Sequence, residues 1–180
     1  MIIDSRASEM NAVMDTASAM LAAARTAPKA SGVDRLRTAI VTGEDLYRLA
    51  GEMRELGEKF GVGFMLRDAG NIEQCDAVVL IGTIESCHGL NEACSYCHHK
   101  NCKECADNNG VCVYPPIDLG IAVGSAVSVA ADRRIDNRVM FSVGKAALAL
   151  GMLDEDTKII LGIPLKVSGK SPYFDRKPKA

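Results

Sequence analysis

At 180 residues, 48% of them hydrophobic and 24% charged, the chain is long and apolar enough to bury a core of its own as one domain spanning 1–180. A formal net charge of −2 gives no footing for nucleic-acid binding by bulk charge, and no apolar run reaches the roughly 18 residues of a membrane span. Seven cysteines, behind an N-terminus (MIIDSRASEM) without a basic-then-apolar leader, point to metal or redox chemistry in a reducing cytoplasm.

In chain order, residues 8–25 read as an amphipathic helix, with Met10, Val13, Met14, Ala17, Met20, Leu21 and Ala24 on one stripe that suits core packing. Pro28 stops it. Arg37–Val41 reads as a strand, and Thr42 with Asp45 opens a second helix that buries Leu46, Leu49, Ala50, Met53, Leu56 and Phe60 and ends at Gly61. Gly63–Leu66 is expected to be a short strand. Ala77–Ile84 (AVVLIGTI) is almost continuously apolar, the pattern of a strand buried on both faces in the middle of a sheet. After Pro115 and Pro116, Ile117–Ala131 is apolar nearly all round and rich in small residues, which suits a central buried helix with Asp118 in its first turn. A further helix is expected from Asp136, with Val139, Met140, Val143, Ala146, Ala147 and Leu150 on its stripe. A last strand, Lys158–Ile163, is closed by Pro164, and a polar surface tail runs from Ser168. This order gives an α+β (α/β) domain in three layers, a mixed sheet with helices on its faces.

The chemistry is concentrated in residues 87–112, CHGLNEACSYCHHKNCKECADNNGVC, which hold six of the seven cysteines and all three histidines. Closely spaced thiolates in an aperiodic loop can converge on one soft metal centre that gives the loop its shape. Cys94, Cys97 and Cys102 form C-x2-C-x4-C with Cys112 as fourth ligand, while Cys97, Cys102 and Cys105 form the C-x4-C-x2-C of plant-type ferredoxins. Cys94, Cys97, Cys102 and Cys105 together would also suit tetrahedral zinc. The ligand set read from the spacing is Cys94, Cys97, Cys102 and Cys112, with Cys105 and Cys87 as alternates. Cys75 is expected to be a buried structural thiol, and His98 and His99 solvated loop residues. Thiol–disulfide exchange through Cys94 and Cys97 is a lesser reading. Gly169-Lys170-Ser171 lacks the upstream glycine of a phosphate loop and is set aside.

Several stretches carry resemblances. Cys94-x2-Cys97-x4-Cys102 with Cys112 resembles the four-cysteine module of corrinoid iron–sulfur proteins, which implies a 4Fe–4S cluster; His98 stands where that module has glycine. The segments AARTAPKASGVD, DLGIAVGSAVSVAADRRIDNRVMFSVGKAAL and GIPLKVSGKSPYFDR, with the cysteine loop, resemble a family of prokaryotic proteins described as containing a ferredoxin domain. The layout, with Ala23–Pro28 after the first helix, strands at Arg37–Val41 and Ala77–Ile84, the helix from Asp118 and a late Gly162-x-Pro164, is similar to the nitroreductase-like flavoproteins. That likeness implies a homodimer with FMN between subunits. The arginine-rich phosphate motif is reduced to Arg6, and Arg25, Lys29 and Arg176 are the candidates for contacting an anionic group. The reading is an iron–sulfur, ferredoxin-like protein for electron transfer or small-molecule redox chemistry, with an unknown redox partner. The alternatives are a zinc-stapled binding protein and an FMN-dependent oxidoreductase. No catalytic residue or substrate is assigned.

Overall fold

The computed structural model of the chain describes residues 2–174. It comprises α1 (Ser5–Thr26), β1 (Leu36–Val41), α2 (Glu44–Phe60), α3 (Gly63–Ile72), β2 (Ala77–Ile84), the short α4 (Cys102–Asp107), α5 (Tyr114–Asp132), β3 (Asp136–Asn137), α6 (Phe141–Ala149) and β4 (Thr157–Lys166). The Asp4 carboxylate accepts from the Ala7 amide and caps α1, so the helix starts three residues before its apolar stripe requires. Gly61, at φ +68°, takes the left-handed position that ends α2.

The strands form one sheet in the order β1-β2-β4-β3. Every pairing is antiparallel, which corrects the expected mixed sheet. The reason lies in the crossovers. Between β1 and β2 the chain goes out along α2 and returns along α3, so Val41 at the end of β1 pairs with Val78 near the start of β2. Ile84 at the end of β2 pairs with Thr157 at the start of β4 in the same way. A connection that begins and ends at one edge of the sheet makes its two strands antiparallel.

β2 is the central strand, and its alternation builds two cores. Ala77, Val79 and Ile81 pack with α1 and α5 through Val13, Ala17, Met20, Leu119, Ala122 and Ala126. Val78 and Leu80 face α2, α3 and α6 through Leu49, Met53, Ile72, Val143 and Ala147. Helices therefore cover both faces, giving the three layers expected. α6 sits close on β4: a Cβ added at Gly144 would lie 1.7 Å from the Ile160 carbonyl oxygen, and one at Gly162 would lie 2.1 Å from Val143 Cγ1.

Several local expectations change, among them Phe60 and Val139, expected on buried stripes but 62% and 40% exposed. Residues 63–66 open a helix rather than a strand, because Met65, Ala69 and Ile72 bury one face at helical spacing. Asp136 and Asn137 form the brief β3, and α6 starts only at Phe141. β4 continues through Pro164 to Lys166, since pairing on its outer side involves Leu165 and Lys166 with β3 and Gly162 with Met140, and leaves the proline unpaired there. The tail is not wholly superficial: Tyr173 is 2% exposed and belongs to the core under α2, α3 and α6. α5 is long and apolar enough to cross a membrane by length and composition alone, yet one face packs on α1 and β2. Its other face is open rather than buried, with Ile117 48% and Ile121 42% exposed beside Gly120 and Gly124.

Candidate metal centre

The cysteine segment leaves the end of β2 and returns at the start of α5, so two central elements fix its ends. Between them the backbone turns repeatedly. Gly89, Asn91, Ser95, His98 and Asn109 all have φ between +49° and +77°, the left-handed region that non-glycine residues seldom enter. Asn101 caps α4 by accepting from the Glu104 amide at 2.9 Å, and Glu104 accepts from the Lys100 amide at 2.5 Å. Expected to be irregular throughout, the loop thus contains one real helical turn. That turn sets Cys102 and Cys105, three residues apart, on one side of α4.

The result is convergence. Cys87, Cys94, Cys97, Cys102, Cys105 and Cys112 all line one cavity of about 20 Å³, together with His88, His99 and Tyr114. None is in a disulfide. Among the described residues no three His, Cys, Asp or Glu side chains stand in the geometry of a single-ion site; the sulfurs ring a space rather than meet at a point. Cys105 is the most enclosed of the six, at 1% exposure. Burial, and then the neighbouring Cys97 and Cys87 thiols with which it exchanges hydrogen bonds, push it up to about 12. Cys87 is raised too, by burial and then by Cys102 and Cys112, and its thiol donates to the Cys102 carbonyl at 3.6 Å. Burial, followed by the adjacent Cys94, raises the Tyr114 hydroxyl. Gly110 packs against two lining residues: a Cβ there would lie 2.6 Å from His99 Nε2 and 2.9 Å from Cys105 Sγ.

Behind the sulfurs lies a polar layer that sequence reasoning missed. His88, its side chain 2% exposed, lies against Tyr114 with the rings tilted by 51° and their centroids 4.9 Å apart. Its Nε2 is 3.2 Å from Arg35 Nη1 and 4.0 Å from Asp118 Oδ2. Arg35 also donates through Nε to Ser86 Oγ, and Asp118 Oδ1 accepts from the Ala30 amide at 2.9 Å. Asp118 Oδ2 is buried without a hydrogen-bond partner. Burial, then Arg35, lowers the His88 pKa against the opposing pull of Asp118. The only signal in the sequence was that all three histidines lie in this segment.

The other predicted site residues lie elsewhere. Arg25 is paired with Asp34 and donates to the Leu36 carbonyl at 3.1 Å. Lys29 closes the end of α1 by donating to the carbonyls of Arg25 and Ala27 at 2.6 and 2.8 Å. Arg6 pairs with Asp76. Each of these cations has a partner within the chain, and Arg176 lies outside the described residues. Cys75 is buried as expected, its thiol pushed up to about 12 by burial and by Asp76.

The chain is similar to a described family, to a relative and to solved structures. The family described as "Uncharacterized protein containing a ferredoxin domain" matches residues 108–176, which include Cys112 but none of the other loop cysteines. A protein of Archaeoglobus fulgidus, described as uncharacterized, is 42% identical over 169 residues, covering 89% of each chain. Among solved structures, a nitroreductase of Desulfovibrio desulfuricans in complex with FMN is similar with a TM-score of 0.57 at 14% identity, covering 91% of this chain and 79% of that one. YdfN of Bacillus subtilis, described as a nitroreductase, gives a TM-score of 0.57 at 13% identity, covering 92% and 82%. A Bacteroides thetaiotaomicron protein described as an NADH dehydrogenase or nitroreductase gives 0.54 at 14%, covering 92% and 78%. At such identities the likeness carries the fold alone, and the fold is nitroreductase-like.

Proposed function

Because this chain belongs to the family of uncharacterized proteins containing a ferredoxin domain, we propose that it is an iron–sulfur redox protein whose cluster is held within residues 87–112. One observation carries this reading: six unpaired thiols, the donor type iron–sulfur clusters use, border a single cavity. A bound cluster would supply one-electron redox chemistry at a potential set by charge, hydrogen bonds to sulfur and exposure. Cys94, Cys97, Cys102 and Cys112 are the proposed ligands of a 4Fe–4S cluster. Cys105 is the strongest substitute for Cys112, because it is the most buried thiol and touches both Cys97 and Cys87. Thiols raised by burial and by one another bind metal only by releasing protons, so their mutual hydrogen bonds would be exchanged for bonds to metal. The protein would work in the cytoplasm as a homodimer, an arrangement favoured by the open apolar face of α5. It would pass electrons to a partner or a small substrate.

An FMN-dependent oxidoreductase is the second reading, favoured by the fold likeness to an FMN-bound nitroreductase. Among the described cations considered for its phosphate, Arg6, Arg25 and Lys29 hold partners within the chain, with which a flavin would compete. Iron, zinc, flavin and acid-labile sulfide per chain, measured on protein purified without oxygen, decide between the readings. Iron and sulfide of about four each are expected for a 4Fe–4S cluster. One zinc without sulfide, or flavin without iron, would overturn the proposal. Replacing each of the six loop cysteines by serine in turn then identifies the ligands as the positions whose loss empties the site.

A further inference from the structure

Resting on the iron–sulfur reading, we infer that His88 is a positioning residue for the cysteine cavity, presenting its Nδ1–H to a sulfur while Arg35 holds the ring through Nε2. A guanidinium has N–H donors and no acceptor, so across 3.2 Å His88 Nε2 must accept from Arg35. An imidazole nitrogen that accepts carries no proton, so the ring is neutral and its one proton is on Nδ1. The competing arrangement would put the proton on Nε2, donated to Asp118. That needs hydrogen-bond reach, and Asp118 Oδ2 stands 4.0 Å away, outside the range in which such bonds form. With Nε2 committed, Nδ1–H is the only donor the ring has left, and His88 is among the residues lining the cavity that the six cysteines line.

The surroundings hold the ring in this state. Arg35 precedes β1, Ser86 and His88 follow β2, and Tyr114 and Asp118 are on α5, so three parts of the core meet at one imidazole. Asp118 is anchored through Oδ1 to the Ala30 amide and leaves Oδ2 unpaired. Its negative charge offsets that of Arg35, so a neutral donor can stay buried beside the sulfurs. Hydrogen bonds to cluster or ligand sulfur favour the more negative, reduced form and raise the reduction potential.

Two measurements test this. In metal-free protein, nitrogen NMR of the three histidines, with His88 assigned by its loss in His88→Phe, should show His88 protonated at Nδ1. Protonation at Nε2 would overturn the inference, whether or not the protein binds iron. In iron-loaded protein, His88→Phe keeps an aromatic ring against Tyr114 but removes the N–H. The reduced-to-oxidised ratio at a fixed mediator potential should fall at least tenfold, about 59 mV for one electron. His88→Asn, whose amide N–H lies near the place of Nδ1–H, should recover part of that shift. Equal iron and sulfide with an unchanged potential in His88→Phe would refute the role. Failure of the wild-type protein to take up iron and sulfide would instead sink the proposed function, and the NMR result would still decide where the His88 proton lies.

Discussion

Gly110→Ala adds one methyl group against two residues that line the cysteine cavity, His99 and Cys105, and removes no donor. The new Cβ would lie 2.9 Å from Cys105 Sγ, 2.6 Å from His99 Nε2 and 3.0 Å from the Cys105 carbonyl oxygen. Comfortable non-bonded contact needs roughly 3.5–4.0 Å, so Cys105 Sγ must retreat by more than about 0.5 Å. The backbone is not free to yield, because the Gly110 amide donates to that same carbonyl at 2.7 Å. Metal sites tolerate ligand displacements of only about 0.2 Å. If Cys105 is a ligand or a direct neighbour of one, iron affinity should fall about 10- to 100-fold, the range seen when supporting residues are lost. Stability of the metal-free protein should change far less, by about 1 kcal/mol, since the contact lies in a loop outside both cores. The assay is an iron titration under reducing, oxygen-free conditions, beside urea unfolding of the metal-free protein. Gly51→Ala in α2, which meets nothing within 4 Å, is the control and should be neutral or slightly stabilising. Iron uptake by Gly110→Ala equal to wild type would refute the placement of Cys105 at the centre of the site.

Three other outcomes follow from the packing. Gly144→Ala would drive a Cβ to within 1.7 Å of the Ile160 carbonyl oxygen and lift α6 off β4, stretching the Met140–Gly162 hydrogen bonds. A loss of roughly 3 kcal/mol or more is expected by calorimetry or urea unfolding, and a loss below about 1 kcal/mol would contradict the close approach. At Asp76 burial acts to raise the carboxyl, but hydrogen bonds from Arg6 and Lys166 outweigh it and hold the group below its ordinary range. A depressed folded pKa stabilises above the unfolded value of about 3.9 and stops doing so as pH falls through the folded one. Asp76→Asn should therefore cost about 1–3 kcal/mol at neutral pH, discounted because Arg6 is half-exposed, and its gap to wild type should close below about pH 4. Ile121→Asp, on the open face of α5, should turn the proposed dimer into a monomer in sedimentation with no loss of fold, and an unchanged sedimentation coefficient would remove α5 from that interface.

The elements most legible in the sequence were those whose burial repeats along the chain. Ala77–Ile84 is the doubly buried central strand its apolar run indicated, and the stripe containing Val13, Ala17, Met20 and Ala24 is the core face of α1. Residues 63–66 were misjudged because four residues cannot separate period 2 from period 3.6, and the decisive Ala69 and Ile72 lie beyond them. Antiparallel order was not legible because it depends on the chain leaving and re-entering the sheet at one edge, which α2 and α3 decide only by packing. The site divides in the same way. The cysteines announced themselves by spacing within 26 residues. Arg35, His88 and Asp118 meet across 53 and 30 positions, and nothing local in any of the three marks the meeting.

The two cores contain none of the six loop cysteines; only Cys75 belongs to either. The parts of the molecule that keep it folded and the parts that would meet oxidants are therefore separate sets of atoms. Damage to the loop, by oxidation of a thiol or loss of whatever the sulfurs hold, would leave β2, α5 and the Arg35 side of the cavity standing. In a chain built this way the packing of the scaffold does not depend on what the loop holds.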